Sequence, residues 1–133
     1  REQAEMGENH GLTNVRSKRL ILREDVYDGL LDGVGRDRMT AVHELGHLLL
    51  HGDDRILHRR ATGAPPSYRD PEWQAKAFAG EFLISELFAN SFASVEEASQ
   101  GFGVSQDAAR YQLRQLAKDG IIKRADLRST LQL

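Results

Sequence analysis

Cysteine is absent from this 133-residue chain, proline occurs only three times, and no stretch approaches the ~20 consecutive apolar residues a membrane span requires. The first absence excludes a disulfide scaffold, a thiolate zinc finger, an iron–sulfur cluster and a cysteine nucleophile together. Any bound metal must therefore be held by His, Asp or Glu. The opening residues Arg1-Glu2-Gln3-Ala4-Glu5 have none of the character of a signal peptide. A soluble, cytoplasmic protein with no membrane partner is expected. The chain opens on Arg1 and not on methionine, which leaves room for an upstream region. With 40% hydrophobic and 29% charged residues and a net charge of −2, one globular domain with at most a small appendage is expected, large enough to fold without a metal or disulfide.

No internal repeat or low-complexity tract is present. Residues 1–17 are polar and without period, which predicts a flexible, loop-like entry. Arg19-Leu20-Ile21-Leu22-Arg23 reads as one modest strand, and Val26 to Leu31 as a helical turn before Gly33. From Asp37, taken as an N-cap, Met39, Val42, Leu45 and Leu49 recur at helical spacing until Gly52. Leu45, Leu48, Leu49 and Leu50 predict that this helix is buried. A long loop is expected from Asp53 to Asp70. The pair Asp70-Pro71 then opens a second helix, with a capping side chain and proline at the first helical position, running to about Ile84. Two further helices fit Val95 to Gln100 and Ser105 to Lys118, the latter stopped by Gly120.

The first long helix carries His43-Glu44-Leu45-Gly46-His47, an H-E-x-x-H pattern. Residues four apart on a helix stand one above the other, ~6 Å along the axis, so two imidazoles can share one cation. A catalytic zinc uses three protein ligands and an open position for water. Glu44 lies about 100° around the helix from His43, beside the metal and not on it, where a carboxylate can take a proton from water. The alternative is a helix whose two histidines and Glu44 are simply solvated. For the third ligand three residues compete. His51 continues the histidine row but lies ~12 Å along the axis from His43, and reads better as a C-terminal histidine favoured by the helix dipole. Asp53 has the metzincin offset from His47, although Leu50 stands where that pattern needs glycine. Glu72 shares a helix face with Ala75, Lys76, Ala79 and Leu83, a small-residue face suited to packing against the histidine helix, while Gln74, Glu81 and Ser85 fall on the reverse.

Taken together, Arg36-Asp37-Arg38-Met39-Thr40-Ala41-Val42-His43-Glu44-Leu45-Gly46-His47-Leu48-Leu49-Leu50-His51 and Glu72-Trp73-Gln74-Ala75-Lys76-Ala77-Phe78-Ala79-Gly80-Glu81-Phe82-Leu83-Ile84 resemble the ImmA/IrrE metallo-endopeptidases, a gluzincin-like group. The likeness runs from about Gly11 to about Leu116. It implies that His43, His47 and Glu72 bind zinc and that Glu44 is the general base. It also implies a site-specific protease that cleaves a helix-turn-helix repressor and so releases phage, mobile-element or stress genes. Two positions depart from the family pattern. Lys76 stands where Asn or Asp is common, which removes an acceptor able to orient a ligating imidazole and predicts weaker zinc binding. Ser85 replaces a proline and should let the helix run on.

Further along, Phe102-Gly103-Val104-Ser105 with Ala108, Ala109, Arg110 and Leu113 reads as the turn and second helix of a helix-turn-helix. From Gly101 onward six basic residues face three acidic ones, a local +3 against −5 for the rest, which is a thin footprint for duplex DNA. A hairpin packed on the peptidase or gripping a protein target is favoured over direct nucleic-acid binding. The rival function is a DNA-binding or regulator-binding module with a structural or vestigial metal site. The expected fold is α+β, mostly helical with a small sheet: a zincin-like core over residues 1–90 and a helical hairpin over 91–133. A strand near Leu20 is expected to align substrate by strand addition, and Tyr68 and His58 are candidate oxyanion partners, each more readily an ordinary loop residue.

Overall fold

A computed structural model of the protein describes residues 1–51 and 66–132. It is a mostly helical α+β fold with one two-stranded sheet. A short helix α1 (Gln3–Met6) precedes β1 (Gly11–Asn14), which pairs antiparallel with β2 (Arg19–Leu22) in the register Gly11 to Leu22 and Thr13 to Leu20. The turn between them is braced by the Ser17 amide, which donates to Asn14 Oδ1 at 3.0 Å. The expected loop-like entry is thus corrected: half of it is ordered. A four-residue strand has too little pattern of its own to be seen, and its stability comes from the apolar partner β2.

Helix α2 (Glu24–Leu31) leads into α3 (Gly35–Leu50), the histidine helix. Its N-cap is Val34, not Asp37. Asp37 lies inside the first turn, buried against α2, where Gly29 makes the space: a methyl carbon there would sit 1.8 Å from Asp37 Oδ2. The prediction of a fully buried α3 also fails in part, since Leu49 and Leu50 are 63% and 51% exposed.

After a 3₁₀ turn at Ser67–Arg69 comes α4 (Pro71–Leu83), whose Asp70 cap accepts from the Glu72 amide at 3.1 Å. It packs closely on α3 because the contact surfaces are small: Ala75 and Ala79 are buried, and Gly46 faces the Ala75 backbone. Ser85 does not let α4 run on, as expected from the missing proline. Ile84 leaves the helix and enters the core at 1% exposure, and Ser85 instead caps a second 3₁₀ turn (Glu86–Ser91) by accepting from the Leu87 amide.

Helices α5 (Val95–Phe102), α6 (Gln106–Lys118) and a further short α7 (Ala125–Thr130) complete the chain. Gly103, with φ +66°, turns α5 into α6. The main hydrophobic core lies here: Ile84, Leu113, Ile122, Leu127 and Leu131 are fully buried, each contributing about 1.5–3 kcal/mol. Core and histidine helix are tied at one place. Arg38 Nη1 donates to the carbonyls of Phe102 and Gly103 at 2.9 and 2.7 Å, and the Gly35 backbone lies against Val104 and Ser105. Among the described residues no helix is long and apolar enough to cross a membrane.

Candidate metal centre

The pitch of α3 stacks His43 over His47, and α4 lays Glu72 across both. His43 Nε2 and His47 Nε2 are 3.2 Å apart. Glu72 Oε2 lies 3.1 Å from His43 Nε2, and Glu72 Oε1 lies 3.0 Å from His47 Nε2. Neutral imidazoles and a carboxylate presenting lone pairs at these separations repel unless a cation sits among them. The spacing suits one: ligands at ~2.0–2.1 Å around a tetrahedral ion are roughly 3.3–3.4 Å apart. Among the described residues this is the group able to hold a metal ion.

Burial grades the three donors. His47 is 5% exposed while the Glu72 side chain is 59% exposed. Burial holds His47 below the ordinary imidazole value, against the upward pull of Glu72. Glu72 itself stands below the usual carboxylate value: partial burial works the other way, and the nearby His47 and His43 outweigh it. His47 is thereby biased toward its neutral form and Glu72 toward its ionised form, the states in which these groups ligate metals.

Glu44 lies on the flank of α3 that faces the sheet. Thr13 Oγ1 is 3.0 Å from its backbone oxygen and in closer contact with Oε2. Gly11 gives the room, since a methyl carbon there would approach Glu44 Cγ to 2.7 Å. Among the described residues Oε1 of Glu44 has no hydrogen-bond donor. The strand touching Glu44 is β1, in the segment read from sequence as loop, so Thr13 was missed; nothing in a short polar stretch marked it.

His51 is not part of the converging set. Its ring is buried, with Nδ1 2.9 Å from His47 Nδ1 and Nε2 2.8 Å from Gln74 Oε1. The dipole reading of His51 thus leaves out its main contacts. Gln74 in turn donates through Nε2 to the Tyr68 carbonyl at 2.8 Å. The placing of Gln74 on the reverse of α4 is corrected here. The interface is centred on Ala75, from which Glu72 and Gln74 stand about 60° and 100° to opposite sides. Lys76 is exposed. The Tyr68 side chain is exposed, and it is the backbone of Tyr68 that takes part. Asp53 and His58 fall outside the described residues.

A cavity of about 840 Å³ opens beside His43, between α3, α4 and α6, lined among others by Trp73, Lys76, Tyr111 and Gln112. Asp107, Tyr111 and Gln115 of α6 thus line the groove next to His43. Four of the basic side chains from Gly101 onward are engaged internally: Arg110, Arg114, Arg124 and Arg128 donate to the carbonyls of Thr130, Leu131, Ser91 and Ile122.

Comparison with known proteins gives one family match: the model of peptidase M78, described as the IrrE N-terminal-like domain, covers residues 31–114, more than half of the chain. No curated protein and no solved structure gave a significant match.

Proposed function

The chain belongs to the peptidase M78 family of IrrE N-terminal-like domains, and on that premise we propose that it is a zinc-dependent endopeptidase whose ligands are His43, His47 and Glu72 and whose general base is Glu44. The observation that carries this reading is the convergence of two nitrogens and a carboxylate at 3.0–3.2 Å, with a second carboxylate on the adjoining flank of the same helix. Zinc is favoured because two imidazoles and one carboxylate match the donor set of hydrolytic zinc sites.

Bound zinc would polarise the scissile carbonyl and acidify water. Thr13 engages Oε2 of Glu44 and leaves Oε1 to accept the proton and deliver it to the departing amine. The groove between α4 and α6 gives a polypeptide access beside His43. Trp73 and Tyr111 offer it apolar surface, and Lys76 and Asp107 offer charge. The substrate we propose is a helix-turn-helix transcriptional repressor, whose cleavage relieves repression; that part rests on the family resemblance described above. The DNA-binding alternative loses support because Arg110, Arg114, Arg124 and Arg128 already donate to backbone carbonyls of the same chain.

The test pairs metal content with cleavage. Zinc should be found by elemental analysis at one ion per chain in the wild type and in Glu44→Gln alike, while Glu44→Gln should cleave a repressor substrate about 10²–10⁴-fold more slowly. Unchanged cleavage by Glu44→Gln would overturn the mechanism.

A further inference from the structure

Beyond the three converging donors, a line of hydrogen-bonding groups runs from His47 through His51 and Gln74 to the backbone of Tyr68. Its chemistry can be read from the far end. A backbone carbonyl only accepts, so the Gln74 group 2.8 Å from Tyr68 O is the amide NH₂, and the group facing His51 is the amide oxygen. That oxygen also only accepts, so His51 Nε2 carries a proton. A neutral imidazole has one N–H, which makes His51 Nδ1 an acceptor. The 2.9 Å contact between the two Nδ1 atoms then needs its proton from His47. His47 Nε2 is left with a lone pair, aimed at His43 and Glu72, and because the Glu72 carboxylate also only accepts, the pattern requires a cation among them.

The geometry points to His51 and Gln74 as positioning residues that fix the Nδ1-protonated tautomer and ring orientation of His47. The backbone supports the arrangement. Helix α3 ends at Leu50, and His51 is extended (φ −112°, ψ 124°) while its amide still donates to the His47 carbonyl at 3.1 Å, which carries its ring back beside His47. The Tyr68 carbonyl is set by the 3₁₀ turn, closed by the Arg69 amide on the Pro66 carbonyl at 2.8 Å. Both rings are buried, where an unpaired N–H is costly and the alternative tautomers lose partners in series. Among the described residues no hydrogen bond reaches His43 Nδ1, whereas His47 Nδ1 is held by His51. Both the tautomer and its consequence for metal affinity rest on the ligand assignment proposed above.

The test has two readouts. In the zinc-loaded protein at pH 8, long-range ¹H–¹⁵N correlation on labelled histidines should show opposite tautomers: Nδ1–H for His47 and Nε2–H for His51. Wild-type His51 protonated at Nδ1 would overturn the relay with no variant needed. By competition with a chromophoric chelator, His51→Leu should bind zinc about 10–100-fold more weakly than wild type. His51→Asn, whose amide oxygen can take the place of Nδ1, should recover most of that loss. Zinc affinity in His51→Leu equal to wild type, or no recovery in His51→Asn, would also overturn the positioning role. Gln74→Leu should give mixed tautomers at His51, and an unmixed one would remove Gln74 from the relay. If wild type bound no zinc, the ligand assignment would fall and the relay with it, whereas zinc binding with His51 protonated at Nδ1 would overturn the relay alone.

Discussion

Gly46 is where the metal helix and the Glu72 helix touch, and substituting it sets two effects of known size against each other. In a helix interior alanine is better than glycine by about 0.8–1.0 kcal/mol. Against this, the added methyl carbon would lie 3.0 Å from Phe78 Cδ1, 3.3 Å from Ala75 Cα and 3.4 Å from the Ala75 oxygen. The Phe78 ring is half-buried and can give a few tenths of an ångström. The Ala75 backbone lies mid-helix and can move only if α4 moves as a body. Overpacking of this kind costs about 1–3 kcal/mol. We expect the steric term to win: Gly46→Ala destabilises by roughly 0.5–1 kcal/mol, and Gly46→Val, with two more methyls and a stiff side chain, by about 2–3 kcal/mol. At roughly 2–4 °C per kcal/mol for a chain of this size, the melting temperature of Gly46→Val should drop by about 5–10 °C, measured by calorimetry on metal-free protein. Because Glu72 precedes Ala75 by one turn, zinc affinity should fall as well. A Gly46→Ala variant that gains the full propensity benefit would refute the close approach of α3 and α4.

The ligand assignment makes a thermodynamic prediction of its own. Free zinc at a hundred times its dissociation constant should add about 2.7 kcal/mol of stability, raising the melting temperature by roughly 5–10 °C. Chelator should reverse the gain and Glu72→Ala should remove most of it; identical melts with and without chelator would refute the site. A second prediction concerns acid. Arg23 donates from Nε and Nη2 to the two oxygens of Asp25 at 2.6 and 2.8 Å, and this hydrogen-bonded guanidinium holds the Asp25 carboxyl at about 2. An unfolded aspartate titrates near ~3.9. The unfolded chain therefore takes up the proton first, and the contribution present above about pH 4 is lost as pH falls toward 2. Asp25→Asn should flatten the urea-midpoint profile across that interval, and an unchanged slope there would count against the pair.

The parts of the centre carried by one helix were legible in the sequence, because local geometry fixes them. His43 and His47 four residues apart define a face whatever the rest of the chain does, and Asp70-Pro71 marks a helix start through its own side chains. Glu72 was legible in part: its small-residue face suited α3, and the family resemblance selected it over Asp53. What depended on the docking of elements was not legible. Gln74 was misplaced because the helical wheel was referred to Glu72, while the packing axis passes through Ala75. Thr13 and β1 exist through pairing with β2, which four residues of modest pattern do not announce. Asp37 resembled a cap by residue type, but its burial against Gly29 is a tertiary fact. Ser85 was judged by the proline it replaces, whereas the hydrophobic pull on Ile84 ends the helix.

The Arg38 guanidinium, hydrogen-bonded to the carbonyls of Phe102 and Gly103, joins the first turn of α3 to the bend between α5 and α6. Charged hydrogen bonds of this type are each worth about 1.5–3 kcal/mol, so the bend and the histidine helix cannot move apart cheaply. A displacement of the bend must therefore either break both hydrogen bonds or carry the first turn of α3 along with it.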